Sequence, residues 1–189
     1  SFGESAFSVS RNRAYGATVG FADGRFNIRI AHQKKSNPLE AAGSTQPVDL
    51  SSRNTLVAAN VSLGKATAYA AFGMNRGIGS SPWDPANPYG VLVMSSPTPK
   101  SNDVLVGLSV PSGNATYMLS YIRKDDRTLA NMDATQLALG MTYALSPRSA
   151  LYAAYAHIKN RNGAPYTVGN ATERGRGNSA LNIGFRHAF

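Results

Sequence analysis

Residues 54–75, NTLVAANVSLGKATAYAAFGMN, decide the fold of this chain. In the first half of the stretch, every second residue is apolar or β-branched: Thr55, Val57, Ala59, Val61 and Leu63. A period of two residues is typical of a β-strand whose two faces meet different surroundings. The only charged residue, Lys65, follows Gly64 near the centre, where a tight turn can join two strands. The stretch therefore predicts a β-hairpin with one apolar face and one weakly polar face.

The same alternation recurs along the whole chain. It is clearest in residues 25–34, 103–110, 134–145 and 181–189. Weaker patterns predict further strands at 14–22, 66–75, 115–124 and 150–160, and a short one at 5–10. Tyr69, Tyr121 and Tyr152 leave open which way three of these strands face. Most of these segments exceed the usual strand length of about 5–6 residues, so the chain is predicted to be all-β with nine or ten long strands.

Tight turns alternate with long connections. The predicted tight turns are 22–25, 64–65, 111–114 and 146–149, and the long connections are 35–53, 76–102, 125–132 and 160–177. In a closed antiparallel barrel every second connection lies at the same end, so this alternation places short turns at one end and long loops at the other. That arrangement is typical of outer-membrane barrels. The predicted fold class is a transmembrane antiparallel up-and-down β-barrel that forms one domain over residues 1–189.

Composition favours a membrane barrel over a soluble barrel or sandwich. Charged residues make up 15% of the chain, below the ~25% usual for soluble domains. The apolar rows carry no charged residue, and the opposite rows are too small to fill a core. A water-filled lumen needs no bulky side chains. The absence of cysteine excludes a disulfide scaffold and thiolate metal sites.

Strand parity predicts which side chains line such a lumen: Asn27, Arg29, Gln33, Asn182 and Arg186. The residues between them are predicted to face lipid, and at the C-terminus these are Leu181, Ile183, Phe185 and Phe189. Four lysines border the long loops and are predicted at the pore mouth: Lys34, Lys35, Lys124 and Lys159. Basic residues there attract anions, but they can equally bind lipopolysaccharide phosphates or keep loops soluble.

Three segments resemble a known family. Residues 143–160, YALSPRSALYAAYAHIKN, and the closing LNIGFRHAF of residues 181–189 resemble the general porins of Gram-negative bacteria, of the β-proteobacterial type. Residues 14–33, AYGATVGFADGRFNIRIAHQ, are similar to another hairpin of that family. The resemblance implies a homotrimer of sixteen-stranded barrels in the outer membrane, of which this chain supplies the C-terminal nine or ten strands without the N-terminal ones.

The resemblance also implies a function. Porins are passive diffusion channels for small hydrophilic solutes, with no enzyme activity and no cofactor. The final aromatic residue, Phe189, is implied to be read by the outer-membrane assembly machinery, together with the apolar positions before it. The formal net charge of +9 adds a preference for small anionic solutes. Outer-membrane lipid and lipopolysaccharide are the expected surroundings, and no nucleic acid is expected.

Two other classes of function remain open from the residues alone. One is a soluble basic β-barrel that acts as a binding module for a ligand or nucleic acid, and the other is an adhesin-like or structural membrane barrel. Catalytic and metal-binding motifs are missing. The three histidines, His32, His157 and His187, are far apart in sequence and do not predict a metal site. The pair Asp125 and Asp126 fits either a cation site or a solvated loop.

Overall fold

The structure is a computed structural model that describes residues 13–36, 38–39, 48–49, 51–77, 100–168 and 177–189. The predicted short strand at 5–10 lies outside these residues. The strands are β1 (Arg13–Ala22), β2 (Phe26–Ser36), β3 (Pro38–Leu39), β4 (Val48–Asp49), β5 (Ser52–Ser62), β6 (Thr67–Arg76), β7 (Lys100–Ser112), β8 (Ala115–Asp126), β9 (Ala134–Ser146), β10 (Ser149–Asn160) and β11 (Ser179–His187). Among the described residues, no helix has the length and apolarity that a membrane span requires.

Nine of these strands form one antiparallel sheet. Their order is β1-β2-β5-β6-β7-β8-β9-β10-β11, so each strand pairs with its neighbour along the chain. The short strands β3 and β4 pair only with each other, within the connection from β2 to β5. The nine strands are 9 to 13 residues long. The up-and-down order predicted from the alternating connections is therefore confirmed.

Tight turns close one end of the sheet, which we call the tight-turn end; the opposite end is the long-loop end. In the first turn, Asp23 Oδ1 accepts the backbone N–H groups of Arg25 and Phe26 at 2.8 and 2.7 Å. These two hydrogen bonds to its charged form lower the pKa of Asp23. The predicted turn at 111–114 is shorter than expected, because cross-strand pairing continues through Pro111 and Ser112 and leaves only Gly113, with φ of +58°, and Asn114 to reverse the chain.

The sheet has almost no interior core. The buried apolar residues among those described are Ala115, Ala134, Ile158, Ala164 and Val168. In contrast, Ile183 is 70% exposed and Leu181 is 68% exposed. The strands between β1 and β11 pair their backbone groups with a neighbour on each side, as strands in lipid must. Large apolar side chains on an open face need an apolar solvent outside the protein.

Candidate functional site

Cross-strand pairs sort the side chains onto two faces, because residues directly opposite each other in a sheet point to the same side. Ile28, for example, pairs with Phe21 on β1 and with Ala59 on β5. Followed across all nine strands, the predicted apolar rows join into one continuous apolar face. Its central members include Val19, Ile30, Val57, Phe72, Val106, Leu119, Leu137, Leu139, Leu151, Leu181, Ile183 and Phe185.

The other side of the sheet, which we call the polar face, carries mainly small and weakly polar residues. Tyr69 and Tyr152, whose direction the sequence left open, lie on this face, whereas Tyr121 lies on the apolar face. A cavity of about 950 Å³ opens here towards the long-loop end. Its lining from the polar face includes Gly16, Gln33, Asn54, Ala71 and Asn75. The polar face is therefore the side with room for water and solutes.

The structure places all five predicted lining residues on the polar face. Gln33 pairs with Asn54, and Asn27 pairs with Asn60, so amide side chains follow one another across β2 and β5. At the opposite lateral edge of the sheet, Asn182 of β11 pairs with Ala154 of β10, and Arg186 pairs with Ala150. The basic groups Arg29 and Arg186 thus lie seven strands apart in the sheet order, among small neighbours.

Arg29 lies flat against the wall because a glycine makes room for it. Gly20 is its partner on β1, and a Cβ atom at that position would lie only 2.6 Å from Arg29 Cδ and 3.1 Å from Nε. Its partner on the other side is Ala58. A strand glycine often marks such a close approach. The guanidinium is consequently held near the wall with no bulky neighbour directly opposite it.

A hydrogen-bonded network crosses the polar face from β5 to β8. Asn54 Nδ2 donates to Asn75 Oδ1 at 2.9 Å, and Asn75 Nδ2 donates to Ser101 Oγ at 3.2 Å and to Asp103 Oδ2. Lys124 Nζ donates to Ser101 Oγ at 2.8 Å and forms an ion pair with Asp103 Oδ1 at 3.3 Å. Both charged side chains are about a third exposed or less. Asp103 and Lys124 therefore cancel each other's charge on this face.

The segment 161–168, which follows β10, folds over the same face. Val168 packs with Ala134 and Ile158 in the one buried cluster found among the described residues, and Tyr166 lies against it. The Tyr166 ring also covers Lys124, whose Nζ is 5.8 Å from the ring centroid. This cation–π contact stabilises the charged ammonium group of Lys124 at its position beside Asp103. No local sequence pattern predicts that residues 161–168 fold back over the polar face, because this depends on contacts between distant strands.

The pair Asp125 and Asp126 organises a loop. Asp126 is 3% exposed, and its carboxylate accepts hydrogen bonds from the backbone of Thr128 and Met132 at 2.8 and 2.9 Å. Asp125 instead pairs with Arg127 at 3.2 Å. The described residues contain no group of three or more side chains suited to a metal ion. The two carboxylates are thus occupied within the connection between β8 and β9.

The four lysines predicted at the mouth divide between the faces. Lys35 and Lys124 lie on the polar face, whereas Lys34 and Lys159 lie at the long-loop margin of the apolar face. Five further basic residues share that margin: Arg13, Arg53, Arg76, Lys100 and Arg123. Sequence reasoning missed Arg53, Arg76 and Lys100 because they fell at the edges of predicted loops. The alternation of β5, β6 and β7 could have located Arg53, Arg76 and Lys100, because each lies an even number of residues from the apolar residues of its strand.

The C-terminal strand ends in a column of rings. Phe185 and His187 stack with centroids 6.2 Å apart, and the ring of Phe189 meets His187 edge-on at 5.0 Å. Ser149 Oγ lies 2.9 Å from His187 Nδ1, which ties the column to β10. Leu181, Ile183 and Phe185 all lie on the apolar face, on the side that their parity predicted.

Comparison with known proteins identifies relatives of this sheet. A family model described as Gram-negative porin matches residues 1–163. Outer membrane porin protein 32 of Delftia acidovorans is 30% identical over 97 residues, which cover 48% of this chain and 27% of that protein.

Solved structures agree with this result. The anion-selective porin from Comamonas acidovorans matches with a TM-score of 0.67 and 20% identity, covering 95% of this chain and 50% of that one. Outer-membrane expressed OmpT of Vibrio cholerae matches with a TM-score of 0.58 and 15% identity, over 93% and 56% of the two chains. The chain thus spans about half of these solved chains and about a quarter of the curated relative. These likenesses confirm the outer-membrane barrel fold predicted from the sequence.

Proposed function

The chain belongs to the Gram-negative porin family, and we propose that its polar face lines an outer-membrane channel through which small hydrophilic solutes diffuse, with a preference for anions. Family and fold point to a channel rather than an enzyme. The soluble binding module is not favoured, because in water its apolar face would remain uncovered from β1 to β11.

The charge balance of the polar face carries the proposed anion preference. On the described strands this face holds four basic residues, Arg29, Lys35, Lys124 and Arg186, and two acidic ones, Asp103 and Asp126, so four minus two leaves a net charge of +2. The two carboxylates are already engaged, by Lys124 and by loop backbone groups. Among the described residues, neither Arg29 nor Arg186 has an ion-pair partner. Their fields therefore extend into the lumen.

These charges act on ions at short range. At physiological ionic strength the Debye length is about 8 Å, so a permeating ion near the wall feels the guanidinium groups while an ion outside the channel does not. Anions are concentrated along the wall and cations are depleted. We expect this preference to weaken as salt is added.

The test is the reversal potential of the full-length channel in a KCl gradient across a planar bilayer. The wild type should give an anion-selective potential, and Arg29→Gln should reduce it. Arg25→Gln is the matched control, because it removes the same charge from a tight turn outside the polar face. A cation-selective wild type would contradict the proposal, and equal effects of the two substitutions would remove Arg29 from it.

We extend the proposal to the partners of the whole protein. The channel is a homotrimer in outer-membrane lipid and lipopolysaccharide, and its solutes are small anions gathered at the mouth by Lys35, the predicted mouth lysine of the polar face that has no carboxylate partner among the described residues. The assembly machinery reads the C-terminal strand through Phe189 and the apolar positions before it. Support for this reading comes from the ring column, which leaves Phe189 fully exposed at the end of the chain.

A further inference from the structure

Three large apolar residues lie on the polar face, against the alternation of their own strands. They are Leu56 on β5, Leu105 on β7 and Ile122 on β8. Leu56 lies two residues from Asn54 and is 46% exposed, and Leu105 pairs directly with Ile122. We call these three residues the inner patch. A channel wall for hydrophilic solutes does not require apolar side chains, and an apolar patch on a wet surface often marks a ligand-binding groove.

A groove runs between the side chains of the inner patch, because the strand between β5 and β7 carries small residues there. Leu56 pairs with Gly73, and Leu105 pairs with Ala71, both on β6. A Cβ atom added at Gly73 would lie 3.7 Å from its nearest neighbour, Asp103 Cβ. The strands β5 and β7 are two intervals apart, about 10 Å. The groove therefore has room for a hydrocarbon chain, and its four residues on β5, β6 and β7 all line the cavity of about 950 Å³.

Polar groups lie at the long-loop end of this groove. One step of two residues from Leu56 lie the amides of Asn54 and Gln33, which pair with each other and also line the cavity. One step further lies Lys35, which has no ion-pair partner among the described residues. Each step is about 6.6 Å along a strand. Amide N–H groups and an ammonium group are hydrogen-bond donors that a carboxylate can accept.

The charge beside the groove favours an anionic ligand. Asp103 also lines the cavity, but the ammonium group of Lys124 neutralises its carboxylate at 3.3 Å. The charge of Lys35 is not neutralised in this way, so the field at this end of the groove is positive. That field attracts an anion and repels a cation. The groove and its polar end therefore complement a molecule with one anionic group and an apolar tail.

We propose that the inner patch binds the anions of short straight-chain fatty acids, with the carboxylate at Lys35, Gln33 and Asn54 and the hydrocarbon chain along the groove. This rests on the channel of the proposed function and names a class of solute that the channel retains. From the two amides to the level of Leu105 is two steps, about 13 Å. Each methylene that leaves water along this path tightens binding, whereas a hydrophilic anion of the same charge gains only the contacts of its head group.

The test measures the affinity of acetate, butyrate and hexanoate for the full-length protein in lipid nanodiscs. A ligand-observed NMR titration gives each dissociation constant, and protein-free nanodiscs correct for acid that partitions into lipid. A methylene that is fully buried strengthens binding about fourfold. Because one side of the groove is open, we expect about twofold for each added methylene, or about 16-fold from acetate to hexanoate.

Two variants separate the chain from the carboxylate. The double variant Leu56→Gln with Leu105→Gln keeps the size of the side chains and should reduce the ratio between hexanoate and acetate to less than about fourfold. Lys35→Gln should weaken the binding of all three acids by about two- to fivefold and leave that ratio unchanged. The matched control, Leu63→Gln with Leu129→Gln, alters two exposed leucines that do not line the cavity, and it should behave as the wild type.

Equal affinities of the wild type for acetate and hexanoate would overturn the proposal, as they would if another part of the full-length protein covers the groove. An equal loss of the ratio in the control would also overturn it, and unchanged affinities in Lys35→Gln would overturn the position of the carboxylate. If the double variant does not fold, Leu56→Gln alone should lower the ratio at least about twofold, and an unchanged ratio would count against the inner patch. Bilayer conductance tests the channel separately: a protein that binds hexanoate but does not conduct ions refutes the channel only, and a conducting protein without chain-length dependence refutes the inner patch only.

Discussion

Replacing Asp103 with asparagine is expected to make the channel more anion-selective. The wild-type carboxylate cancels the charge of Lys124 at 3.3 Å, so Asp103→Asn leaves one additional positive charge on the polar face. A unit charge about 8 Å from a permeating ion contributes about 0.5 kcal/mol in water before screening. Screening leaves about 0.4 kcal/mol at an ionic strength of about 0.01 M and about 0.2 kcal/mol at about 0.15 M.

Anions gain this energy and cations lose it, so the permeability ratio changes by twice the amount. We expect the chloride-to-potassium ratio to rise about fourfold at the lower salt concentration and about twofold at the higher one. The assay is the reversal potential of the full-length channel in a planar bilayer at both concentrations. The salt dependence distinguishes a field effect from a change in pore size, which would alter conductance at every concentration.

Two further variants control the experiment. Lys124→Gln should lower the ratio, and the double variant Asp103→Asn with Lys124→Gln should return it to the wild-type value because both charges are gone. Asp23→Asn removes the same charge from an exposed turn at the other end of the sheet and should leave the ratio unchanged. The reasoning is refuted if Asp103→Asn leaves the ratio unchanged, or if Asp23→Asn reproduces its effect.

Three other predictions test the wall and its assembly. Gly184→Ala should lower the free energy of unfolding of the barrel by about 1–3 kcal/mol, because the new Cβ would lie 2.2 Å from the Tyr152 hydroxyl. Gly24→Ala is the control, because nothing lies within 4 Å of its Cβ position. The measurement is the melting temperature, and equal values for the two variants would contradict the prediction. Deleting Phe189 from the full-length protein should reduce its yield in the outer membrane without changing the conductance of each surviving channel; a normal yield would dismiss the assembly role. Backbone hydrogen bonds lower the pKa of Asp23, so its stabilisation of the turn should be complete above the usual carboxyl pKa of about 3.9 and disappear as pH falls through the lower folded-state value. A carbon-13 NMR titration that gives Asp23 an ordinary or raised pKa would show this assignment to be wrong.

Strict alternation made most of the fold predictable. In residues 54–63 and 181–189 one face is apolar throughout, so a shift of one residue would place every side chain on the wrong side. The directions of Tyr69 and Tyr152 were not predictable, because a tyrosine is tolerated on either face of such a wall. Their direction follows only from pairing with neighbouring strands.

The candidate site was predictable only in part, for a related reason. The position of Arg29 on the polar face follows from the parity of its own strand. The pairing of Asp103 with Lys124 joins residues on different strands and depends on register. The fold-back of residues 161–168 depends on long-range packing against Ile158, which no local pattern encodes.

The uncovered apolar face has a consequence for how this sequence can change. In a packed interior, replacing leucine by alanine leaves a cavity and costs about 2–5 kcal/mol. Next to Leu137 or Leu181, fluid acyl chains occupy the space that a removed side chain vacates, so the cost falls to the transfer free energy of the lost atoms. Substitutions between apolar residues of different shape are therefore tolerated there, whereas a mid-membrane lysine or arginine costs about 2–4 kcal/mol. The outer wall is constrained in polarity and free in shape, so distant members of such a family can keep the same barrel while sharing few identical residues.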